Sequence, residues 1–517
     1  MMMSNQAINS VVIVGGGTAG WITAGRIAAE HQHNPSIEVT LIESPDISPI
    51  GVGEGTWPTM RTTLLKLGIS ESDFINQCDG SFKQGAKFAK WVTGEDDDFY
   101  YHPLVLPQGF HKTNLAKYWH EQHQKSGKSF SELVCYQEAI CEQGLAPKTI
   151  RHGEFDALAN YAYHLDSAKF SAFLQQHCTE KLGVKHVLAN VESITSHDNN
   201  DIASVITKEA GEIFGDLFVD CTGFSALLIG KHYDVEFVPC DDVLFIDTAL
   251  AVQVPYELDD SPIASHTIST AQDAGWIWDI GLQHRRGVGH VFSSRHTSKE
   301  RAYEQLGKYV GEGFEQLQVR EIPIKSGHRK IFWKNNCVAV GLSAGFLEPL
   351  EASALVLVEL SAQMIAEQLP ACRQVMDVVA NRFNQTFDYR WQRIIDFLKL
   401  HYMLSKRTDN AFWVDNRNPD TIPNSLQELM TLWQYHPPAD HDFSSNNEVF
   451  PAASYQYVLY GMGFVTENLT HAVCDRDHNL ALQQFQLNQQ AISKASRLLP
   501  SNRELINKIR QYGLQSV

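Results

Sequence analysis

Residues 11–20, Val-Val-Ile-Val-Gly-Gly-Gly-Thr-Ala-Gly, decide the fold. An apolar run breaks into Gly15-x-Gly17-x-x-Gly20, the sequence form of a strand, a tight turn and a helix whose N-terminus faces a pyrophosphate. Gly15 allows the sharp turn, Gly17 lets the backbone approach the phosphates, and Gly20 lets helix and strand pack closely. Unpaired N–H groups at the helix start, where Thr18 and Ala19 stand, supply an anion site together with the helix dipole. A glycine triplet alone is a weak signal in 517 residues. The next segment strengthens it: Ile37-Glu-Val-Thr-Leu-Ile-Glu43 alternates as a second strand and ends on an acid about 28 positions after Gly15. A carboxylate there accepts hydrogen bonds from an adenosine ribose. The chain reads as an α/β protein with a dinucleotide near its centre.

Composition narrows the class further. Hydrophobic residues make up 43% and charged residues 20%, as in a globular enzyme, and the length implies two structural lobes. A net charge of −18 argues against nucleic acid or an anionic membrane as partner. The nine cysteines are scattered without a Cys-x-x-Cys pair, a reducing-compartment pattern with neither a disulfide framework nor a zinc motif. Met1–Ser10 lacks the apolar core of a signal peptide, and no stretch approaches 18 apolar residues. A cytoplasmic protein is expected. Glu95-Asp-Asp-Asp98 reads as a solvated loop rather than a metal site, since no histidine stands at ligand spacing.

Pro49 to Pro58 is a glycine- and proline-punctuated loop, followed by a helical pattern through Leu64, Leu65 and Leu67. Tyr100 to Gln108 looks turn-rich. An amphipathic helix is predicted over 165–182 with Asp166 as its cap, then a strand over Gly183–Val191. Residues 202–219 read as a hairpin running into Asp220-Cys-Thr-Gly223. Alternating strands are expected over Val243–Val254, Trp276–Leu282 and Gly289–Phe292, and His284, Arg285, Arg286 and His290 as a basic cluster at a loop end. Helices take over at 355–369, 373–404, 426–433 and 480–514, the last interrupted at Pro500. The shift places a soft boundary near residues 385–405, giving units 1–395 and 396–517.

Several segments together resemble the flavin-dependent halogenases of the tryptophan halogenase family, over essentially the full length. Gly15-Gly-Gly-Thr-Ala-Gly-Trp21 is similar to that family's opening, and Gly51-Val-Gly-Glu-Gly-Thr56 with Pro58 to a loop lying against the flavin. Ser81-Phe-Lys-Gln-Gly-Ala-Lys-Phe88 resembles the segment carrying an essential lysine, which puts that role on Lys83. Asp220-Cys-Thr-Gly-Phe224 resembles a second flavin-contacting segment. Asn336-Cys-Val-Ala-Val-Gly-Leu-Ser-Ala-Gly-Phe-Leu-Glu-Pro-Leu-Glu351 is the longest match. Trp276-Ile-Trp278-x-Ile280 resembles the tryptophan pair that separates halogenases from flavin monooxygenases. The chain departs from the pattern at Gly281, where a proline is usual, at the acidic Asp279, and at Ala352 and Ala354, where tryptophan-modifying members carry serine and glycine.

The resemblance implies a Rossmann-like FAD-binding lobe of the flavin monooxygenase type, an inserted mainly antiparallel sheet and a C-terminal helical lobe. FAD would be held by Gly15, Gly17, Thr18, Ala19, Gly20, Glu43, Gly53, Val187, Gly223, Gly341 and Leu342. Reduced flavin and O2 give a hydroperoxide, and attack by chloride or bromide gives hypohalous acid. A desolvated Lys83 can hydrogen-bond that oxidant or be halogenated by it. Glu351 can stabilise the arenium cation and take its proton; read from sequence alone it could equally charge the first turn of the following helix. Ser353, Ala354, Trp276 and Trp278 fall on the substrate and halide side. Phe412, Trp413 and Tyr455, with Phe443, Phe450, Tyr457, Tyr460 and Phe464, offer either an aromatic substrate wall or helix packing. With one nucleotide fingerprint, reduced flavin is expected from a separate NAD(P)H flavin reductase. The substrate is expected to be a small aromatic, with free or decorated indole outperforming L-tryptophan. A homodimer is left open, and no metal is expected. The alternatives are an aromatic hydroxylase and a non-catalytic flavin-binding protein.

Overall fold

A computed structural model describes residues 7–47, 53–445, 447–467 and 475–515. Met1–Gln6 of the N-terminal segment, and Pro49 to Val52 of the glycine-punctuated loop, lie outside the described residues. The opening motif forms β1 (Ser10–Val14), α1 (Thr18–Glu30) and β2 (Glu38–Glu43). β1 pairs in parallel with β2 on one side and with Leu217–Asp220 on the other. Val11, Val12 and Ile13 are fully buried there, each worth about 2 kcal/mol of transfer free energy. The six-stranded order is Trp333–Lys334, Cys337–Ala339, Leu217–Asp220, β1, β2, Lys185–Leu188. One βαβ crossover is thus the seed of a mainly parallel sheet covered by helices.

Downstream come β3 (Gly53–Gly55), β4 (Ser81–Lys83), β5 (Gly85–Ala89), β6 (Phe99–Pro103) and β7 (Ala162–Asp166). β7 sits between β3 and β4 in a small antiparallel sheet. β5 and β6 close a seven-stranded sheet whose other members are Thr267–Gln272, Gly275–Gly281, Arg285–Phe292, Thr248–Pro255 and Arg320–Pro323. All its pairings are antiparallel except that between β5 and Thr267–Gln272.

Several expectations need correction. The 99–103 segment, expected as turn, is a strand, because its inward rings Tyr100 and Tyr101 are buried against neighbouring strands and helices. The hairpin over 202–219 ends at Phe214: Ile202–Thr207 pairs with Gly211–Phe214, whereas Leu217–Asp220 leaves to join the parallel sheet. Gly215 permits the exit, since a Cβ there would lie 2.7 Å from Val12. Arg285, Arg286 and His290 form no loop-end basic cluster but share one strand. Arg285 pairs with Asp166, Arg286 with Asp279, and His290 Nδ1 reaches the Ala302 carbonyl at 3.0 Å. The strand expected from Val243 begins only at Thr248.

The helices follow the sequence pattern closely. Asp166 caps Ser167–Lys181 by accepting from the N–H groups of Ala168 and Lys169, both at 3.1 Å. Pro500 separates Asp475–Leu498 from Asn502–Tyr512. The boundary expected near residues 385–405 falls inside Arg373–Met403, a continuous helix, and the change from strands to helices comes earlier, between Gly345–Phe346 and Ser353–Glu367. No helix among the described residues is long and apolar enough to cross a membrane.

Candidate active site

A cavity of about 670 Å³ runs from the β1–α1 turn to the crossing at 341–355. Its first end is made of backbone. Gly15, Gly16, Gly17, Thr18 and Ala19 line it, and α1 begins at Gly17 without any side-chain cap, so its first N–H groups stay available to an anion. The glycines divide the work as their positions require. A Cβ on Gly15 (φ +115°) would lie 2.2 Å from the Cys221 carbonyl oxygen, and one on Gly20 would lie 1.9 Å from that of Gly15. A Cβ on Gly17 would meet nothing within 4 Å. Two glycines therefore hold strand and helix together, and the middle one keeps space open above them. Gly20 lies under the site rather than in its lining.

Glu43 lines the same end, and its Oε2 is 2.8 Å from His186 Nε2. Gly53, Gly223, Gly341 and Leu342 also line the cavity. Val187 does not. It pairs with Ile42 inside the sheet, and the cavity wall beyond that strand is Ala189, Asn190 and Val191. The donor set and the open glycine cradle fit a dinucleotide.

The far end is made of side chains. β4 carries Lys83 into the cavity, 4% exposed, where its Nζ donates to the Thr56 carbonyl at 3.2 Å. Burial lowers its pKa to about 8, against the raising effect of Glu351, so roughly a tenth is free amine near pH 7. Lys83 Nζ and the Ala352 Cβ both flank Gly55, 3.3 and 3.5 Å from where a Cβ of Gly55 would stand.

Glu351 and Ala352 are successive left-handed residues, φ 61° and 55°, a costly backbone for side chains with a Cβ. The turn brings the Glu351 carboxyl to the cavity just ahead of the Ser353–Glu367 helix. The carboxyl does not cap that helix. Its Oε1 lies 2.8 Å from His102 Nδ1 and 3.4 Å from His401 Nε2. His102 Nε2 faces the Ser454 hydroxyl at 2.9 Å, and His401 Nδ1 the Tyr100 hydroxyl at 2.6 Å. The hydrogen bond at His102 assigns an N–H to its Nδ1, facing Glu351, whereas His401 Nε2 makes no hydrogen bond. Burial raises the Glu351 carboxyl, but the electrostatics of its neighbours, first His102 with its hydrogen bond and then His401 and Lys83, outweigh it and hold the group below its ordinary value. Burial holds His401 neutral, at about 3.

Trp276 and Trp278 both line the cavity from one face of their strand. Trp276 Nε1 donates to the Tyr402 hydroxyl at 3.0 Å, and that hydroxyl donates to Glu348 at 2.6 Å. Burial raises Glu348 to about 7. Two of the departures from the family pattern have local reasons. Asp279 is paired with Arg286, so its charge is compensated. A Cβ at Gly281 would lie 3.0 Å from Ile263 and 3.1 Å from the Tyr256 hydroxyl, so neighbouring side chains already fill the place of a proline ring.

The structure does not bring Phe412, Trp413 or Tyr455 to the cavity. Phe412 and Trp413 are fully buried, Trp413 donating to the Gln272 carbonyl at 3.0 Å and packing on Trp91. Tyr455 is buried among Phe397, Trp433 and Phe443. These rings build the core of the helical region. Tyr457 and Tyr460 join a separate core cluster, with Phe464 packed against its edge. Of that set Phe450 approaches Glu351 through both Trp57 and His102, and Tyr457 through His102. Sequence reading missed His102, His401, Tyr100, Trp57 and Glu348. Trp57 sat between two quoted motif residues and Glu348 inside the longest one, while Tyr100 and His102 stand in the run Tyr100-Tyr-His102.

The tryptophan halogenase family model matches residues 10–477. The crystal structure of a tryptophan halogenase from Shewanella frigidimarina superposes with a TM-score of 0.97 at 49% identity, covering 100% of both chains. A 7-chloro-L-tryptophan 6-halogenase of Kutzneria sp. is 31% identical over 97% of this chain and 99% of its own. A tryptophan 7-halogenase of Lentzea aerocolonigenes is 31% identical over 89% of this chain and 90% of its own.

Proposed function

The chain belongs to the tryptophan halogenase family and is a flavin-dependent halogenase, and we propose that it halogenates a small indolic arene with Lys83 directing the oxidant and Glu351 taking the proton. One observation carries the reading: Lys83 and Glu351 are both buried at the same end of a cavity whose other end is a glycine cradle.

Bound as FADH2, the cofactor supplies reducing equivalents to O2, and chloride or bromide is oxidised to hypohalous acid. Everything else falls to the chain. Gly15, Gly17, Thr18 and Ala19 offer backbone to the pyrophosphate, with Glu43 toward the ribose. Gly53, Gly223, Gly341 and Leu342 border the space for the rest of the group. Ser353 and Ala354 stand at a helix start with no side-chain cap, which suits a halide. Lys83, partly neutral, holds the small oxidant by a hydrogen bond or carries its halogen on nitrogen, and so keeps it from reacting at random. The arene carbon forms its bond to halogen as the O–X or N–X bond breaks, that pair leaving on oxygen or on the lysine nitrogen and taking up a proton, and the C–H electron pair then returns to the ring. The proton passes to Glu351, kept ionised by the two imidazoles. Water is the by-product.

The described side chains around Glu351 are aromatic rings and imidazoles, which suit an uncharged arene; free or decorated indole is therefore the proposed substrate ahead of L-tryptophan. Relatives of equal identity act at different ring positions, so overall similarity selects none. Reduced flavin is supplied by a separate NAD(P)H-dependent reductase. The test is a reaction with FAD, such a reductase, NADH and bromide or chloride, offered indole and L-tryptophan and read by mass spectrometry. Halide-dependent mass gain on indole is expected. A hydroxylated product in its place, or efficient regioselective chlorination of L-tryptophan with indole untouched, overturns the respective part of the reading.

A further inference from the structure

Trp57 has no part in the chemistry above, yet it touches the residue at its centre. Its Nε1–H donates to the Glu351 backbone carbonyl at 2.8 Å. Its ring meets Phe450 edge to face, centroids 4.8 Å apart. Phe450 in turn stacks on Phe397 at 3.7 Å, and both flank His102, at 6.3 and 5.6 Å. The aromatic side of Glu351 is thus filled by an indole belonging to the chain itself. The 670 Å³ cavity reaches Glu351 from the flavin side, and Trp57, Phe397 and Phe450 are not in its lining.

The attachment of Trp57 lets the ring move while the main chain stays. On one side Thr56 is fixed, its N–H donating to the Tyr163 carbonyl at 2.8 Å and its own carbonyl accepting from Lys83. On the other, Pro58 and the Thr59–Leu67 helix hold the backbone. Trp57 is half-buried, whereas Phe450 is fully buried, so of the two rings Trp57 has solvent beside it. Its departure breaks one hydrogen bond, one edge-to-face contact and its packing on the edge of the core, and leaves a bicyclic space next to Glu351.

We propose that Trp57 is a specificity-determining gate, whose indole occupies the arene position beside Glu351 and is displaced when an aromatic substrate binds. The proposal rests on the reading of Glu351 as the group that faces the arene. It makes two demands. Removing the ring must expose a site for a bicyclic arene, and binding of such an arene must move Trp57 in the wild-type chain.

Both are read by binding rather than turnover. Indole is titrated calorimetrically into the full-length wild-type protein, Trp57→Val and Trp57→Phe, with thermal melts to verify that each variant is folded. Trp57→Val should bind indole at least tenfold more tightly than wild type, and Trp57→Phe, which keeps a ring in place, should gain less than threefold. Protein labelled with 5-fluorotryptophan then reports the ring directly by fluorine NMR, the Trp57 signal being assigned by its absence in Trp57→Phe. Saturating indole should shift that signal more than any other. An unmoved Trp57 signal at saturation, or no gain in indole affinity in a folded Trp57→Val, overturns the gate. Halogenated product from the wild type is measured separately. Product with an unmoved signal removes the gate and leaves the activity standing, and a moved signal without product does the reverse.

Discussion

The two ends of the cavity are built from different materials. At the glycine end the wall is largely main chain, a turn, a helix start and the open face of Gly17, with Glu43 at its edge. At the far end it is side chain: Lys83 from β4 and Glu351 from the 350–352 turn, with the imidazoles of His102 (β6) and His401 (the Arg373–Met403 helix) behind the carboxylate rather than in the wall. Backbone recognises a phosphate through geometry that any L-residue would spoil, so its demands are local in sequence. A proton-handling site is made by burial and proximity. Its members come from wherever the fold delivers them.

The sharpest way to break this contrast lies at Gly17. Because a Cβ there meets no protein atom, Gly17→Val should keep its melting temperature within a few degrees while FAD binding disappears from a titration. Gly20→Val, aimed at the Gly15 carbonyl, should lose folding and binding together. If both variants behaved alike, the division between a structural and a ligand-facing glycine would be wrong. At the other end Lys83→Ala should lose about a thousandfold in halogenated product while FAD binding and oxygen consumption persist, as followed by mass spectrometry and an oxygen electrode. Lys83→Arg should fail similarly, since a guanidinium stays protonated.

Glu351→Gln should cost about a hundredfold in product formation with unchanged FAD affinity, measured in the same assay. The smallest effect is the most diagnostic. His102 and its neighbours hold the Glu351 carboxyl below its ordinary pKa, so the carboxylate persists as pH falls. Removing the donor in His102→Leu lets burial dominate and raises that pKa. The acid limb of kcat/KM should then move to higher pH, with about a tenfold loss at pH 6 and little at pH 8. An unchanged profile would reduce His102 to packing.

This difference in materials also explains what could be read in advance. The βαβ unit, the Asp166 cap, the break at Pro500 and the long C-terminal helices were legible because each is a local signal. Lys83 and Glu351 came through resemblance and not through spacing, and their placement in one cavity is what the fold adds. The aromatic residues at 412, 413 and 455 were indistinguishable in sequence from a substrate wall, since core rings and binding rings have the same composition; only burial separates them. His102 and His401 lie about 300 positions apart and meet across one carboxylate, which no one-dimensional pattern can announce. The 202–219 hairpin failed for a related reason. Its last strand obeys a partner far away in the chain, β1, rather than its neighbour.

Gly281 has a consequence for how this protein can vary. Its carbonyl accepts from the Ser81 hydroxyl at 2.5 Å, two residues before Lys83, and the space above its Cα is taken by Ile263 and the Tyr256 hydroxyl. Any side chain placed at 281 would therefore press on Ile263 and the Tyr256 hydroxyl, which would have to give way by a few tenths of an ångström. Positions 256, 263 and 281 form a small linkage group in which an exchange at one is tolerated only on the right background at the others. A recombination breakpoint drawn between residues 263 and 281 would separate partners that have to be inherited together.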